Sequence, residues 1–383
     1  MNRSEVRVWE WPVRVFHWSL AASFAVAFLT SGEDRFLDVH IVAGYLMLGL
    51  VLFRLAWGLL GGPYARFSGF AFGWRAAVAY VADLRRGRAS RHLGHNPAGS
   101  WAVYGLLALA LLIGLSGLAV LGGEEGHGPL AGWLGVGTGV ALHEVHELLA
   151  WTMLGLVAMH LVGVAVESLF HRENLVGAMV HGRKPRRESG SVASVRPHRG
   201  VAAALVVVMA VGVGYAFSGW AGADATHPYR PFAGPTLAQD ARWNGECGGC
   251  HLAYHPSLLP ARSWQQLFAQ QADHFGEDLF LSVDTVSALA RFAAANAAEQ
   301  TATEAAWRID HSIPAAQSPL RITETPYWKR KHRELGEAVW RRAAVRGKSN
   351  CDACHLDAQK GTFQDAAMQV PESKPTALSG KEG

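Results

Sequence analysis

Long runs of apolar residues, separated by short polar stretches, dominate the first 220 residues of this 383-residue chain. A run of about 20 apolar residues is long enough to cross the hydrocarbon core of a bilayer as a helix. Five runs meet or approach this length and predict transmembrane helices at Val15–Ser31, Val39–Leu60, Ser100–Leu121, Val140–Val166 and Val201–Ser218. After residue 220 the pattern is water-soluble, with helix-prone stretches at Ser287–Ala306 and Tyr327–Val345 and no strand-like alternation. The pattern therefore predicts an all-α protein with a membrane part and a water-soluble part.

The first apolar run follows three arginines and so has the outline of a secretory signal peptide. Glu5 and Glu10 interrupt this basic region, however, and no small-residue cleavage site follows the run. We therefore interpret it as a retained helix.

The lysines and arginines between the apolar runs predict the orientation of the helices, because cytoplasmic loops are enriched in these residues. The 61–99 segment carries six of them and the 171–200 segment carries seven, whereas 122–139 carries none and 32–38 carries one. The N-terminus and the two basic loops are therefore expected on the cytoplasmic side of a bacterial inner membrane. The fifth helix would then deliver residues 219–383 to the periplasm.

Cysteine placement identifies the candidate chemistry of the water-soluble part. All four cysteines lie in two C-x-x-C-H motifs, Cys247-Gly-Gly-Cys250-His251 and Cys351-Asp-Ala-Cys354-His355. This pattern attaches c-type haem, with both thiols bonded to the vinyl groups and the histidine bonded to iron. A zinc site or a redox dithiol is the alternative, but two copies that use every cysteine favour haem. The net charge of only +4 gives no support for nucleic-acid binding.

Histidines at membrane depth are rare and usually functional. His146 and His160 are 14 residues apart on the fourth predicted helix, which corresponds to about 3.9 turns and roughly 21 Å of rise. Their side chains therefore share a face, one near each membrane surface, as two haems stacked in a helical bundle require. His17 and His40 lie at matching depths on the first two helices. These depths predict the ligand pairs His17–His160 on the cytoplasmic side and His40–His146 on the periplasmic side.

His143 fails the same test, because it lies about 4.7 turns before His160 and points away from it. Two neutral imidazoles on each iron would give a six-coordinate haem suited to electron transfer, with no open position for oxygen chemistry. The alternative for any one of these histidines is an interhelical hydrogen bond.

Five stretches in the first 190 residues carry a family resemblance. They are Arg14-Val-Phe-His17-Trp18, His40-x-x-x-Gly44-Tyr45, Arg54-x-x-Trp57-Gly58, Gly94-His95-Asn96-Pro97-x-Gly99, and His146-Glu147 with His160 fourteen residues on. This part resembles the prokaryotic cytochrome b561 / nickel-iron hydrogenase cytochrome b subunit family, which implies a four-helix bundle with two b haems on the four histidines named above. His95 lies in one of these motifs, in a cytoplasmic loop, where we expect it to cap a helix or to touch haem or quinone.

A second set of stretches lies between about residue 225 and residue 370. They are Glu246-Cys-Gly-Gly-Cys-His-Leu-Ala-Tyr254, Leu259-Pro-Ala-Arg-Ser-Trp264, Asp273-His-Phe-Gly-Glu-Asp278, Arg321-Ile-Thr-Glu-Thr-Pro-Tyr327 and Asn350-Cys-Asp-Ala-Cys-His355. This part resembles the di-haem cytochrome c family related to the DHC proteins of phototrophs, which implies two covalent haems. His255 departs from the family pattern and leaves the ligand assignment open at that position.

The sixth ligands of the two c haems have six candidates: His227, His255, His274, His311, His332 and Met368. His274 and His332 both lie within the family motifs, and we expect these two to ligate iron. By proximity, His274 is assigned to the haem on Cys247, Cys250 and His251. His332 is assigned to the haem on Cys351, Cys354 and His355. A crossed arrangement and a plain surface role for either histidine stay open.

The chain is therefore divided into a membrane domain (1–190), a fifth transmembrane helix with linkers (191–222), a di-haem cytochrome c domain (223–370) and a loose tail (371–383). We expect transmembrane electron transfer through two b haems and two c haems, from membrane quinol to a soluble periplasmic c-type cytochrome, with the reverse direction open. Such a protein would have quinol:cytochrome c oxidoreductase activity. One alternative is a membrane anchor and electron port for a hydrogenase-like catalytic partner. Another is a superoxide or peroxide reductase, for which the sequence offers no catalytic constellation.

Overall fold

The computed structural model describes residues 5–32, 36–186, 195–221 and 236–371. The proline-marked linker with His227, and all but the first residue of the predicted tail, lie outside the described residues. The chain forms two compact units. The first combines Met1–Leu118 with Leu142–Ser218, and the second combines Ala119–Ala141 with Gly219–Gly383.

Helices account for most of the first unit. In chain order they are α1 (Trp11–Thr30), α2 (Leu37–Leu60), α3 (Trp74–Arg85), α4 (Pro97–Gly123), α5 (Val136–His171), α6 (Leu175–His181) and α7 (Arg199–Ala221). The C-terminal end of α4 and the N-terminal end of α5 belong to the second unit. Strand β1 (Glu5–Arg7) pairs antiparallel with β2 (Arg183–Pro185), and Val6 lies opposite Lys184. The all-α class predicted from the sequence is confirmed.

Four helices, α1, α2, α4 and α5, are long and apolar enough to cross a membrane, as predicted. The described apolar part of α7, Arg199–Tyr215, is shorter than these four, so the fifth span stays a prediction. Buried contacts between the helices come from Met47 and Val51 of α2, Ala110 and Ile113 of α4, and Met153 of α5. Many leucines and valines on the outer faces are exposed, as expected for helices that face lipid.

The second unit is built from short helices, of which the first ends at the first cysteine of the first C-x-x-C-H motif and the others lie between the two motifs. They are α8 (Ala241–Cys247), α9 (Ala261–Ala269), α10 (Val283–Ala295), α11 (Glu304–Ser312), α12 (Pro326–Lys331) and α13 (Glu337–Trp340). Trp243 of α8 lies at the centre of the core, edge-on to Trp264 and tilted against Phe292. Its indole Nε1 donates a hydrogen bond to the Tyr254 carbonyl at 3.1 Å, so the ring is buried without an unpaired donor.

The two helical stretches predicted in the second unit are not continuous helices, because each is divided where a side chain or a backbone turn caps a shorter helix. Ser287–Ala306 is split after Ala295, where the Asn296 side chain donates back to the Phe292 carbonyl at 2.9 Å. A new helix starts only at Glu304, with the Thr303 hydroxyl as its N-cap. Tyr327–Val345 is likewise split into α12 and α13, and the segment between them begins with His332 at the C-cap of α12.

Removal of the central indole should destabilise the second unit. Trp243 is only 2% exposed, so Trp243→Ala should lower the free energy of unfolding by about 3–5 kcal/mol. Trp133 belongs to the same unit but is 83% exposed, and Trp133→Ala should therefore change stability little. Denaturant unfolding of the two variants in detergent gives the comparison, and equal losses would contradict the assignment of Trp243 to the core.

Candidate haem sites

Two histidine pairs lie inside the helical bundle of the first unit. His17 of α1 faces His160 of α5, with ring centroids 6.4 Å apart. His40 of α2 faces His146 of α5, with ring centroids 6.1 Å apart. Helix α5 therefore contributes one member to each pair, and the partners are those that depth and helical phase predict.

Two further pairs lie in the second unit, one at each C-x-x-C-H motif. The rings of His251 and His274 are 6.4 Å apart and close to parallel, with 24° between their planes. The rings of His332 and His355 are 6.2 Å apart, with 62° between their planes. His274 is thus beside the first motif and His332 beside the second, which is the uncrossed arrangement.

The separation within each pair fits one metal ion between two imidazoles. A bond from imidazole nitrogen to a metal is about 2 Å long, and the nitrogen lies roughly 1.2 Å from its ring centroid. Two imidazoles on opposite sides of one metal therefore place their centroids about 6.4 Å apart. All four pairs fall between 6.1 and 6.4 Å. Direct ring stacking is closer, as for Trp328 on His332 at 4.3 Å.

Backbone and hydroxyl oxygens orient several of these rings through Nδ1. The Nδ1 of His40 donates to the Ala27 carbonyl at 2.8 Å. The His251 Nδ1 donates to the Leu252 carbonyl at 2.7 Å, and the His332 Nδ1 donates to the Trp328 carbonyl at 2.9 Å. Such bonds select the tautomer that leaves Nε2 free to bind a metal, and they fix the angle of the ring.

His146 is oriented by a hydroxyl that the sequence analysis did not single out. Ser116 of α4 donates its own hydroxyl hydrogen to the Ile113 carbonyl at 3.1 Å. Its oxygen therefore accepts from the His146 Nδ1, 2.9 Å away. The next residue, Gly117, lets α4 approach the ring, because a Cβ there would lie 3.1 Å from His146 Cε1. A serine–glycine pair opposite a membrane histidine is the sequence signal for this contact.

The cysteine environment does not support the zinc or dithiol alternatives. Among the described residues, no cysteine belongs to a cluster of three or more potential metal ligands. None of the four cysteines is in a disulfide. Burial raises the pKa of the Cys247 and Cys351 thiols to about 11.

His255, which left the ligand assignment open, has a structural role. The side chain is 4% exposed. Its Nε2 donates to the Ala238 carbonyl at 3.0 Å, and its Nδ1 accepts from the Ser257 amide at 3.2 Å. Both ring nitrogens are therefore used, and neither is free for iron. The ring lies against Gly361, which adopts a left-handed φ of +76° at a point where a Cβ would clash with His255.

The other candidate ligands are placed elsewhere. His311 donates through Nδ1 to the Trp307 carbonyl and stacks on that indole at 4.0 Å. The backbone of Met368 forms a bridge with that of His355. His227 lies outside the described residues.

His95 does not cap α4, contrary to one of its two expected roles. The cap is Asn96, whose side-chain oxygen accepts from the Gly99 amide at 2.6 Å. His95 is instead enclosed between Trp9 and Phe70. Burial, followed by the positive charge of Arg54, lowers the pKa of His95 to about 3, so the ring is neutral.

Arg54 is a buried cation that the sequence analysis quoted only as part of a motif. It is 3% exposed, and its Nη2 donates to the Ala65 carbonyl at 3.0 Å. Its Nη1 is buried and has no hydrogen-bond partner among the described residues. A buried guanidinium with a spare donor is suited to an anionic group such as a carboxylate.

The chain was compared with known families and proteins. Residues 8–182 match the family described as Prokaryotic cytochrome b561, and residues 243–363 match the family described as Dihaem cytochrome c. The first part is 26% identical over 221 residues to a probable Ni/Fe-hydrogenase B-type cytochrome subunit of Rhizobium leguminosarum bv. viciae, which covers 48% of this chain and 90% of that protein. It is 23% identical to the probable Ni/Fe-hydrogenase 1 B-type cytochrome subunit of Escherichia coli K12, over 47% of this chain and 91% of that protein.

Two solved structures resemble the second part. A dihaem cytochrome c from Rhodobacter sphaeroides is 38% identical, covers 34% of this chain and 100% of its own, and has a TM-score of 0.30. The dihaem cytochrome c of Shewanella baltica OS155 is 28% identical, covers 35% of this chain and 95% of its own, and has a TM-score of 0.28.

The described structure agrees with both families in its four membrane-length helices and in its mainly helical segment around two C-x-x-C-H motifs. These families imply b-type haem in the first part and c-type haem in the second. The chain is therefore a membrane-spanning electron-transfer protein whose residues 8–182 belong to the prokaryotic cytochrome b561 family and whose residues 243–363 belong to the dihaem cytochrome c family.

Proposed function

We propose that this protein carries electrons across the inner membrane through two b haems and two c haems, from membrane quinol to a soluble periplasmic c-type cytochrome. The observation that carries this proposal is the common spacing of the four histidine pairs, 6.1–6.4 Å between ring centroids. Each pair would hold one haem, and each haem supplies reversible one-electron oxidation and reduction of its iron.

The assignment of residues follows from these pairs. His17 and His160 would bind the b haem on the cytoplasmic side, and His40 and His146 the b haem on the periplasmic side. For the c haems, the first is assigned to Cys247, Cys250, His251 and His274. The second is assigned to Cys351, Cys354, His355 and His332.

Two protein ligands on every iron favour electron transfer over substrate chemistry. An enzyme that reduces superoxide or peroxide needs an open position on its haem. With His274 and His332 in place, neither c haem would offer one. A quinol:cytochrome c oxidoreductase activity is compatible with this arrangement, because its substrates exchange electrons and need not bind iron.

The proposed topology places the N-terminus in the cytoplasm and residues 219–383 in the periplasm. It rests on the basic residues of the 61–99 and 171–200 segments and on the site of c-haem attachment. Helix α7 would be the fifth span, since its 23 residues correspond to about 34 Å of helix against a hydrocarbon core of about 30 Å.

A second candidate function is that of a membrane anchor and electron port for a hydrogenase-like catalytic partner. The similarity to hydrogenase B-type cytochrome subunits over 48% of this chain favours it. The dihaem segment favours the first proposal, because its two c haems would let the same chain pass electrons to a soluble acceptor. Co-purification distinguishes the two, since an anchor would retain a stoichiometric partner in mild detergent.

The proposed function predicts an order of haem reduction that depends on the side of the membrane. In spheroplasts, added quinol should reduce the b haems first and the c haems afterwards. Ferricyanide does not cross membranes because of its charge. It should therefore reoxidise the c haems in spheroplasts but not in inverted vesicles, as followed by the separate absorbance bands of b and c haems. Reduction of the c haems in a variant without b haems would contradict the route, and accessible c haems in inverted vesicles would contradict the topology.

Pairing by depth predicts which b haem each substitution removes. His160→Ala and His17→Ala should lose the same b haem and retain the other, because His40 and His146 keep their own pair. Haem content and redox titration of the purified variants would show this. His143→Ala is a matched control on α5 and should retain both b haems. Retention of both b haems in His160→Ala would refute the assignment.

The sixth ligands of the c haems can be tested without loss of the covalent attachment. His274→Ala and His332→Ala should each turn one c haem high-spin and able to bind carbon monoxide, while both haems stay attached. His311→Ala removes a histidine that is already paired with Trp307, so it should leave both c haems low-spin. If the first two variants keep fully low-spin haems that do not bind carbon monoxide, the assigned ligands are wrong.

A further inference from the structure

Residues 119–141, named here the α4–α5 loop, run from the last turn of α4 to the first turns of α5. They form one compact unit with residues 219–383. The loop thus comes from the segment that matches the cytochrome b561 family, yet it is built into the unit that carries the C-x-x-C-H motifs.

A buried carboxylate connects the loop to α11. Arg308 of α11 donates through Nη2 to Oε1 of Glu124 and through Nε to Oε1 of Glu304, the latter at 2.5 Å. Glu124 is 3% exposed. Exposed ion pairs contribute little to stability, but removal of one partner from a buried pair is strongly destabilising because it leaves an uncompensated charge. Loss of Glu124 is therefore expected to destabilise the packing of the loop on α11.

Close backbone packing holds Glu124 in position. A Cβ at Gly139 would lie 2.3 Å from the Glu124 nitrogen, so the start of α5 passes directly against the end of α4. Gly137, two residues earlier on α5, faces the indole of Trp307, with a Cβ position 3.4 Å from Nε1. Trp307 and Arg308 are neighbours on α11, so the same turn of that helix supplies an apolar and an ionic contact to the loop.

Arg308 and Lys331 are the cations beside this carboxylate-rich contact. Glu125, Glu304 and Asp365 converge to within 4.8 Å of one another, and Glu124 lies beside them. A cluster of carboxylates repels itself at short range unless a positive charge is placed among them. A negative charge at position 308 would therefore drive the loop and α11 apart.

We propose that Glu124 and Arg308 fasten the α4–α5 loop to α11 within the second unit. Because the loop is continuous with α4 and α5, this contact is a second tether on the dihaem segment, beside the chain that follows α7, and it speeds electron transfer between b and c haems by restricting the motion of that segment. Its role in electron transfer rests on the proposed function, whereas the contact itself does not depend on which residues bind haem. A single covalent linker limits only how far a tethered domain can move, whereas a second attachment restricts that motion further. Glu124 and Arg308 are positioning residues, because neither is assigned to haem.

A charge-reversal cycle in the full-length, haem-loaded protein tests the proposal. Arg308→Glu should raise the hydrogen-exchange rates of the α4–α5 loop by roughly a hundredfold, since a charge-assisted bond is replaced by repulsion. The rate at which b haems reduce c haems, followed by stopped-flow absorbance, should fall severalfold. Adding Glu124→Arg to Arg308→Glu restores an ion pair of opposite polarity and should recover most of both losses. Recovery by a second substitution would not be seen if the first variant had merely misfolded.

Glu304→Gln is the matched control, because it removes the other carboxylate on the same guanidinium. Glu304 lies four residues before Arg308 on the same helix, so its loss should change loop exchange by only about twofold. Haem content and the four potentials should be unchanged in every variant.

The outcomes separate the docking contact from the proposed function. If Arg308→Glu keeps the wild-type hydrogen-exchange rates in the α4–α5 loop and the wild-type rate of electron transfer, the proposed docking contact is wrong. Faster loop exchange with an unchanged transfer rate would overturn its positioning role. If the unsubstituted protein shows no transfer from b to c haems, the proposed function fails, while loop exchange still decides whether the contact exists.

Discussion

The constraint on which the structure depends is the separation of 6.1–6.4 Å between the two imidazole rings of each histidine pair. Each member of a pair comes from a different element, so two elements must be held at one spacing and one rotation. In the membrane part, this requirement applies twice to a single helix, since α5 carries both His146 and His160. The buried contacts of Met47, Val51 and Met153 fix the helices around these rings. Because lipid offers no hydrogen bonds to a misplaced imidazole, a wrong rotation would leave a polar group unpaired as well as a ligand misplaced.

The second unit reaches the same spacing between paired imidazole rings in a different way. In the second unit the helices are short, and the paired histidines lie at their ends and in the turns between them. His332 is the C-cap of α12, and its ring stacks on Trp328 of the same helix. The buried core around Trp243 provides the rigidity that long helices provide in the bundle. Two unrelated architectures thus satisfy the same geometric requirement.

Sequence predicted well what regular periodicity controls. The phase of His146 and His160 follows from 3.6 residues per turn, and the partners His17 and His40 follow from depth alone. Capping was the main source of error. Asn296 and Thr303 end and restart a helix that alanine content alone would continue, because a side-chain hydrogen bond to the backbone outweighs propensity. Two hydrogen-bonded contacts between distant segments were not predicted: Ser116 with His146, and Glu124 with Arg308, are separated by 30 and 184 residues.

The placement of the α4–α5 loop in the second unit also bears on how the chain can be divided. The boundaries of the two sequence families suggest that a fragment starting near residue 219 would be a complete cytochrome. Such a fragment would lack Glu124 and Gly137, and so would leave the indole of Trp307 uncovered and the guanidinium of Arg308 with one carboxylate fewer. The remaining fragment would in turn expose a loop with two adjacent glutamates and no lysine or arginine. The two compact units of this protein are therefore interleaved in sequence, and they cannot be separated by a single cut of the chain.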